Sequence, residues 1–287
     1  MKIALIGTGR VGTALGRALA GSGLQVASLY DEKLSASRRA RTIIGRGRIA
    51  RDGGGAARAA DIVFLCVPDG ELAAAALELA LTGIDWRKKI VLHTSGSLTS
   101  AVLAPLRCEG AATGSFHPAQ SFPRPETPAA AFAGTTIAIE GDARAAAAAR
   151  RLALALGAKP LRIKASEKLR YHAACCFASN LFIPLFDLAC GLLEDAGITP
   201  RRAEALLLPL VEGTLRNIAA LGRVRALTGP ISRGDAATAG LHLDTLPRRG
   251  SHRRVYQVLG GRALELAVRN GLDKKPAAAV RRTLERK

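Results

Sequence analysis

The chain has 287 residues, of which 48% are hydrophobic and 23% are charged, and its formal net charge is +19. This length suits two domains with separate cores, and the apolar fraction excludes an intrinsically disordered protein. The positive charge favours anionic ligands. Arginine clusters such as 248–249 with 253–254 lack the interleaved aromatic residues of nucleic-acid sites, so we expect no nucleic-acid partner.

Residues 2–20 have the pattern of a strand, a glycine turn and a helix. The apolar run 3–6 has the length of a buried strand, and apolar residues then recur at helical spacing from Val11. Gly7, Gly9 and Gly12 allow a tight turn, a close approach of the backbone to a pyrophosphate, and close packing of the helix on the strand. The helix N-terminus adds free N–H groups and a partial positive charge. We therefore expect the turn to bind NAD or NADP through Gly7, Thr8, Gly9, Arg10, Val11 and Gly12; the alternative is a tight turn without a ligand.

The next apolar run, 24–30, ends at Asp31. An acidic residue about 20 residues after the glycine turn accepts hydrogen bonds from the adenosine ribose, which favours NAD. Basic and small polar residues follow closely, and they offer a binding site for the 2′-phosphate of NADP if the loop folds back. The residues in question are Lys33, Ser35, Ser37, Arg38 and Arg39. The sequence therefore allows either cofactor, and Asp31 alone slightly favours NAD.

Further strands are predicted at 61–68, 89–93, 111–116, 135–140 and 160–163, and helices at 72–81 and 143–156. The basic segment 35–61 is predicted to be a loop around the glycines at 53–55. Alternating strands and helices predict an α/β fold with a doubly wound parallel sheet. Ligands of such sheets bind beyond the carboxyl ends of the strands, which brings Val67, Pro68, Ser95 and His117 to the crevice that holds the glycine turn.

The composition changes to almost wholly helical at about residue 165, so we predict a dinucleotide-binding domain at 1–165 and a helical substrate and dimerisation domain at 166–287. Helices are expected at 167–190, 200–221, 233–246 and 254–270. Ser179, Asn180, Pro184 and Asp187 interrupt the apolar stretch 173–193. This interruption favours a buried, bent helix over a membrane span.

The chain has five cysteines, without CxxC or Cys/His spacing. An odd number without that spacing indicates reduced thiols in a cytoplasmic protein and no metal site. No secretory signal is evident at the N-terminus, which is consistent with this expectation.

Motifs from several predicted elements together resemble one family. They are Val-Pro-Asp at 67–69, His-Thr-Ser-Gly at 93–96, Ser-Phe-His-Pro-Ala-Gln-Ser-Phe at 115–122, Tyr-His-Ala-Ala at 171–174 with Ser179-Asn180, and Thr-Gly-Pro-Ile-Ser-Arg-Gly-Asp at 228–235 with His242. The chain resembles Rossmann-like proteins whose C-terminal half is the domain of unknown function 2520. These are relatives of deazaflavin-dependent NADP oxidoreductases, ketopantoate reductase, pyrroline-carboxylate reductase and 6-phosphogluconate dehydrogenase. The resemblance implies the fold, NAD(P) binding and a homodimer, but no particular substrate.

Candidate catalytic residues lie at the start of the second half. The resemblance implies a lysine as proton donor there, which is Lys168, with an asparagine further along, Asn180. At helical spacing Lys168, His172, Cys175 and Ser179 share one stripe, with Asn180 flanking it. An imidazole titrates near neutral pH, so His172 is a candidate acid or base. Ser95 follows a strand directly and has a glycine neighbour. The structural alternatives are a surface lysine, a core histidine and a buried polar amide.

We therefore expect an NAD(P)-dependent oxidoreductase acting on a small, anionic carbonyl or imine metabolite. The alternative is a dinucleotide-binding sensor or regulator that performs no chemistry.

Overall fold

The computed structural model describes residues 1–247 and 250–286. The arginine pair at 248–249 lies outside the described residues. The chain forms two compact units, Met1–Leu181 and Phe182–Lys287. The first unit thus runs past the change in composition at residue 165 and includes the helix that follows it.

The first unit is built on an eight-stranded sheet, with β1 in the third position from one edge. The spatial order is β3-β2-β1-β4-β5-β6-β7-β8. The strands are β1 (Lys2–Ile6), β2 (Gln25–Tyr30), β3 (Arg48–Ile49), β4 (Ile62–Leu65), β5 (Ile90–His93), β6 (Ala112–Pro118), β7 (Thr136–Gly141) and β8 (Lys159–Arg162). The first six run parallel. The predicted α/β class with a doubly wound sheet is confirmed.

Two strands, β7 and β8, depart from the parallel prediction. β7 runs antiparallel to β6, with Phe116 opposite Ile139, and β8 then follows the direction of β7. The connection from β6 to β7 contains only a short 3₁₀ turn, Ala129–Phe132. A parallel crossover usually needs a helix to return the chain to the other end of the sheet, and this connection has none.

Helices cover both faces of the sheet. They are α1 (Arg10–Gly21), α2 (Leu34–Ile44), α3 (Gly53–Arg58), α4 (Leu72–Ala80), α5 (Ala104–Cys108) and α6 (Ala143–Ala155). One core lies under α1, α2 and α6, where Phe64 and Phe116 meet edge to face at 5.4 Å between ring centroids. The other core, which includes Trp86, lies under α3, α4 and α5. The sheet is therefore buried on both sides, as its continuous apolar strands require.

The loop predicted around the glycines at 53–55 is wrong, because these residues form the first turn of α3. The Asp52 side chain caps this helix by accepting a hydrogen bond from the Gly55 amide at 2.6 Å. A Cβ on Gly54 would lie 2.9 Å from the Thr82 side chain. Close packing therefore requires small residues here, and it outweighs the low helix propensity of glycine.

The remaining helices are α7 (Lys168–Ala178), α8 (Phe182–Asp195), α9 (Pro200–Arg225), α10 (Ala236–Thr245), α11 (His252–Arg269) and α12 (Lys274–Leu284). The sequence analysis did not predict α12. The single helix predicted at 167–190 is broken at 179–181 into α7 and α8. Pro184 then stands in the first turn of α8, where its missing N–H leaves no hydrogen bond unmade.

The expected burial of the apolar stretch at 173–193 is also wrong. Two helical segments, Ala165–Asp195 and Pro200–Arg225, are long and apolar enough to cross a membrane by length and composition alone; 6% and 0% of their apolar windows are buried. Within the second unit, α9 exposes six large apolar side chains by 43–65%. They are Leu206, Leu208, Leu210, Leu215, Ile218 and Leu221.

All five cysteines are described and none forms a disulfide; Cys190 is buried, whereas Cys108 is exposed.

Candidate active site

The glycine turn between β1 and α1 has the geometry that its sequence predicts. Gly7 has a φ of +87°, and a Cβ there would lie 2.6 Å from the Cys66 carbonyl carbon. A Cβ on Gly12 would lie 2.1 Å from the Gly7 carbonyl oxygen, so helix and turn touch directly. By contrast, nothing lies within 4 Å of the position that a Cβ on Gly9 would take. The turn is therefore tightly packed at Gly7 and Gly12, on the side of Cys66, and open at Gly9.

Asp31 fixes this turn to the end of β2. One carboxylate oxygen accepts hydrogen bonds from the Thr8 amide at 2.7 Å and from the Thr8 hydroxyl at 3.1 Å. The other oxygen accepts a hydrogen bond from the Lys33 amide at 3.1 Å. Asp31 also lines the cavity next to the glycine turn.

A cavity of about 690 Å³ extends from the glycine turn past the ends of β4 and β5 to the end of β6. This volume is within the range of cofactor sites. Among the predicted cofactor residues, Thr8 and Gly12 do not line this cavity. The others line it: Gly7, Gly9, Arg10, Val11, Asp31, Val67, Pro68 and Ser95.

Carboxylates outnumber cations in the lining of this cavity, in contrast to the net charge of the whole chain. The acidic residues are Asp31, Glu32, Asp69, Glu71 and Glu78, and the basic ones are Arg10 and Lys33.

Ser95 lies at the cavity, but its hydroxyl belongs to the turn after β5. It donates a hydrogen bond to Asp69 at 2.9 Å and accepts one from the Leu98 amide at 3.0 Å. The Ser97 hydroxyl donates to the same Asp69 oxygen at 2.6 Å. These contacts stabilise the turn and leave the Ser95 hydroxyl little freedom to meet a substrate.

Lys168 is completely buried at the start of α7 and does not line the cavity. Its ammonium group donates to the Ser95 carbonyl oxygen at 3.0 Å and to the Ser115 hydroxyl at 2.8 Å. Burial lowers the pKa of Lys168 to about 8, against the opposing effect of Glu140 and Asp69. In this structure the lysine therefore connects the ends of β5 and β6.

Two imidazoles pack against Gly96 at the cavity end furthest from the glycine turn. A Cβ on Gly96 would lie 2.4 Å from His172 Cδ2 and 2.7 Å from His117 Nε2. The rings of His117 and His172 meet edge to face at 5.8 Å between centroids. The Tyr171 hydroxyl lies 2.9 Å from His117 Nδ1. Glycine is thus required at position 96, because any side chain would displace both rings.

The predicted stripe on the first helix of the second half is only partly assembled. Lys168 and His172 meet the strand ends, but Ser179 and Asn180 follow the end of α7 and are exposed. Asn180 does not line the cavity.

The sequence reasoning did not assign a role to Tyr171 or pair it with His117. Two signals pointed to the pair: the His-Pro at a strand end, and a tyrosine three residues after Lys168. Within the described residues, no group of three or more His, Cys, Asp or Glu side chains has the arrangement of a metal site.

Two family profiles match the chain. Residues 1–118 match the Rossmann-like domain, and residues 135–263 match the domain of unknown function 2520. A search of curated proteins finds no sequence that matches this chain.

Solved structures of similar fold include oxidoreductases. A protein from Bacteroides fragilis, described as a candidate NADP oxidoreductase, has 23% identity and a TM-score of 0.76, over 92% of this chain and 98% of that one. An imine reductase from Myxococcus stipitatus in complex with NADP⁺ has 19% identity and a TM-score of 0.64, over 100% of both chains. A pyrroline-5-carboxylate reductase from Coxiella burnetii has 18% identity and a TM-score of 0.60, over 99% and 98%.

Proposed function

Because the chain combines a Rossmann-like domain with the domain of unknown function 2520, we propose that it is a nicotinamide-dinucleotide-dependent oxidoreductase that acts on a small carbonyl or imine compound. The observation that carries the proposal is the open space in front of Gly9, at the N-terminus of α1. No side chain of the described residues caps that helix, so its amides and partial charge are suited to an anion.

The residues of the first unit fit a dinucleotide from end to end. The amides of the turn 7–12 would bind the pyrophosphate, and Asp31 would accept hydrogen bonds from the adenosine ribose. Val67 and Pro68 would flank the nicotinamide, and His117 and His172 line the same cavity. When bound, the dinucleotide supplies or accepts the hydride. The protein binds and orients the substrate at the imidazole end of the cavity.

The adenosine end of the cavity favours NAD over NADP. Tyr30, Glu32 and Glu78 line it beside Asp31, and burial together with Glu78 and Glu32 raises the pKa of the Tyr30 phenol. A 2′-phosphate would be repelled by this group of carboxylates. Of the residues that the sequence offered to a 2′-phosphate, Lys33 lines the cavity, whereas Ser37 is buried and Arg38 lines a different hollow.

The cavity lining also bears on the substrate. The net charge of the chain predicts an anionic substrate, but Asp69 and Glu71 line the cavity, and Asp69 is close enough to act on the charge of His117. These carboxylates repel an anion and favour a neutral or positively charged compound such as an imine. We therefore propose a substrate without a carboxylate or phosphate near its reacting carbon.

A thermal-shift comparison with NADH and NADPH tests the cofactor site. Ligand at 100 times its Kd stabilises the folded state by about 2.7 kcal/mol, so NADH is expected to raise the melting temperature more than NADPH at equal concentration. Gly9→Ala is expected to melt like the wild type without ligand, because its Cβ meets no atom within 4 Å. It is expected to lose the NADH shift, because the methyl group would occupy the place of the pyrophosphate.

Gly21→Ala is the matched control, since it lies at the other end of the same helix and its Cβ would make an ordinary 3.8 Å contact. The proposal is overturned if Gly9→Ala retains the full shift with NADH, or if neither dinucleotide shifts the wild type.

The non-catalytic sensor is the second candidate. It is favoured by one observation: Ser95 and Lys168, both expected to act in chemistry, use their polar atoms in bonds within the protein. A wild type that binds NADH tightly but turns over no carbonyl or imine compound in a broad panel would support the sensor.

We further propose that the chain forms a homodimer through α9. Six of its large apolar side chains are 43–65% exposed, and grouped exposed apolar residues mark protein–protein contact surfaces. They are Leu206, Leu208, Leu210, Leu215, Ile218 and Leu221. Burying half of each side chain would contribute roughly 1 kcal/mol per residue.

Light scattering is expected to give twice the chain mass of 29.9 kDa. The double variant Leu210→Glu/Leu215→Glu is expected to give one chain mass, whereas Leu81→Glu, on an exposed residue of the first unit, leaves the dimer intact. A monomeric wild type that sediments with lipid vesicles would contradict the dimer.

A further inference from the structure

We propose that His117 is the residue that hydrogen-bonds the reacting oxygen or nitrogen of the substrate, as a neutral imidazole with its proton on Nε2, and that Tyr171 is the positioning residue that fixes this tautomer. The inference rests on the proposed function, since it assigns a donor to the substrate of that site.

The first step is the bond between Tyr171 and His117. The phenol oxygen lies 2.9 Å from Nδ1, and the rings meet edge to face at 5.6 Å between centroids. Burial raises the pKa of Tyr171, so the phenol keeps its proton at neutral pH. The neighbouring Cys175 sulfur is a weak acceptor, so the phenol proton is directed to the imidazole nitrogen. Nδ1 therefore accepts, and the ring proton stands on Nε2.

The second step is the charge of the ring. Burial lowers the pKa of His117 to about 4, and Lys168 and His172 act in the same direction against Asp69. The ring is thus neutral at pH 7. A neutral imidazole donates a hydrogen bond to a carbonyl without the cost of burying a cation, a device known from other enzymes.

The third step is the direction of Nε2. This atom, and no other polar atom of the ring, approaches Gly96, where a Cβ would lie 2.7 Å from it. Both His117 and Gly96 line the cavity. Within the described part of the chain no hydrogen bond to Nε2 is found, so its N–H is available to a molecule in the cavity.

His172 is the competing donor, and the geometry disfavours it. The atom that it turns towards Gly96 is a carbon, Cδ2, while its Nε2 lies 3.9 Å from the Cys176 sulfur. The Nε2 of His172 thus has a partner on its own helix, whereas the Nε2 of His117 has none among the described residues.

During reduction of a neutral carbonyl or imine, whose lone pair accepts the hydrogen bond from His117 Nε2, the hydride joins the carbon of the C=O or C=N bond and the π electrons move to the oxygen or nitrogen. The hydrogen bond from His117 Nε2 strengthens as negative charge develops there. The imidazole keeps its proton, and solvent water in the open cavity protonates the product. In the oxidation direction the same bond holds the alcohol or amine.

The test uses the full-length protein labelled with ¹⁵N-histidine, with the His117 signals assigned from the spectrum of His117→Phe. At pH 7 we expect His117 to show a protonated Nε2 and an unprotonated Nδ1. Tyr171→Phe keeps the ring but loses the hydroxyl, and it is expected to shift His117 towards a mixture of tautomers. A wild-type ring protonated at Nδ1, or a His117 signal that Tyr171→Phe leaves unchanged, would overturn the proposal.

The chain supplies a matched control. In the second unit the Tyr256 hydroxyl lies 2.9 Å from His242 Nδ1, with a similar ring geometry. Tyr256→Phe removes the same kind of bond and is expected to leave the His117 signals unchanged.

A kinetic arm tests the donor itself, with 1-pyrroline and cyclohexanone as probes. His117→Phe is expected to lower kcat about 100-fold, as removal of one such donor does in other enzymes, while the Kd for NADH stays within twofold. An unchanged kcat would overturn the role of His117. The NMR result needs neither substrate nor cofactor, so its failure is distinguishable from failure of the proposed function, which the dinucleotide shift reports.

Discussion

The burial of Lys168 predicts a specific dependence of stability on pH. In the folded protein the pKa of this lysine is about 8, because burial disfavours its charge, compared with an ordinary value of 10.5. Between these two values the unfolded chain binds more protons than the folded one, so stability rises with pH across that window. At 1.36 kcal/mol per pKa unit, the rise amounts to about 3 kcal/mol.

The perturbation is Lys168→Met, which keeps an unbranched side chain without the charge. Urea denaturation of the wild type and the variant is measured at pH 7.5, 8.5, 9.5 and 10.5. The single tryptophan, Trp86, is buried in the first unit, so its fluorescence reports the unfolding of the unit that contains Lys168. The difference in unfolding free energy between the two proteins is expected to move by about 3 kcal/mol in favour of the wild type as the pH rises.

Groups that titrate in both proteins cancel in this difference. Lys164→Met is the control, because Lys164 is exposed four residues earlier. A wild-type advantage that stays constant from pH 7.5 to 10.5 would refute the reasoning, since it would mean that the buried amine takes up and releases its proton as an exposed lysine does.

Three further outcomes are expected, each measured by urea denaturation followed at Trp86. Glu140→Gln removes a charge that raises the pKa of Lys168, so the rise in stability is expected to begin at lower pH; an unmoved onset would contradict this. Gly12→Ala forces a Cβ to within 2.1 Å of the Gly7 carbonyl oxygen and is expected to cost about 3 kcal/mol, whereas a neutral effect would show that the turn is loose. Asp142→Ala removes the cap of α6 and the acceptor of the Thr113 amide and is expected to cost about 2 kcal/mol; a loss below 0.5 kcal/mol would disagree with the geometry.

The glycine turn and the strands of the first half could be predicted from the sequence, because their causes are local. A turn with φ of +87° needs Gly7, and a helix that touches the turn needs Gly12, whatever the rest of the chain does. The position of Asp31 could be predicted for a similar reason, because it follows from the distance along the chain between this residue and the turn.

The direction of β7 had a local signal that the sequence reasoning did not use. No helix was predicted between the strands at 111–116 and 135–140, and a connection without a helix favours an antiparallel return. At the first turn of α3 the local signal of the capping Asp52 was opposed by the low helix propensity of three glycines. Gly53 and Gly54 pack against Leu79 of α4 and against Thr82, contacts that the sequence does not reveal.

The environments of single side chains could not be predicted. Helical spacing places Lys168 and His172 on one stripe, but whether a side chain enters a cavity or a core depends on the elements packed around it. Here β5 and β6 enclose the lysine completely and leave the imidazole at the cavity. The end of α7 at Ala178 likewise took Ser179 off the stripe and Asn180 away from its side, although both distances from Lys168 suited one continuous helix.

The reversal of β7 determines how the first unit ends. Had every strand run the same way, the last one would finish at the rim of the cavity, and the following helix would lead away from it. Because β7 and β8 run in the opposite direction, the chain leaves the sheet at the level of Ser115, and α7 runs back towards the cavity. Lys168 therefore contacts Ser115, and Tyr171, one turn later, contacts His117 at the rim of the cavity. The length of the short link at 163–167 therefore determines at which positions along β6 the side chains of Lys168 and Tyr171 make their contacts. Inserting a residue there would rotate Lys168 and Tyr171 about the axis of α7 by about 100°. Tyr171 would then no longer contact the imidazole of His117.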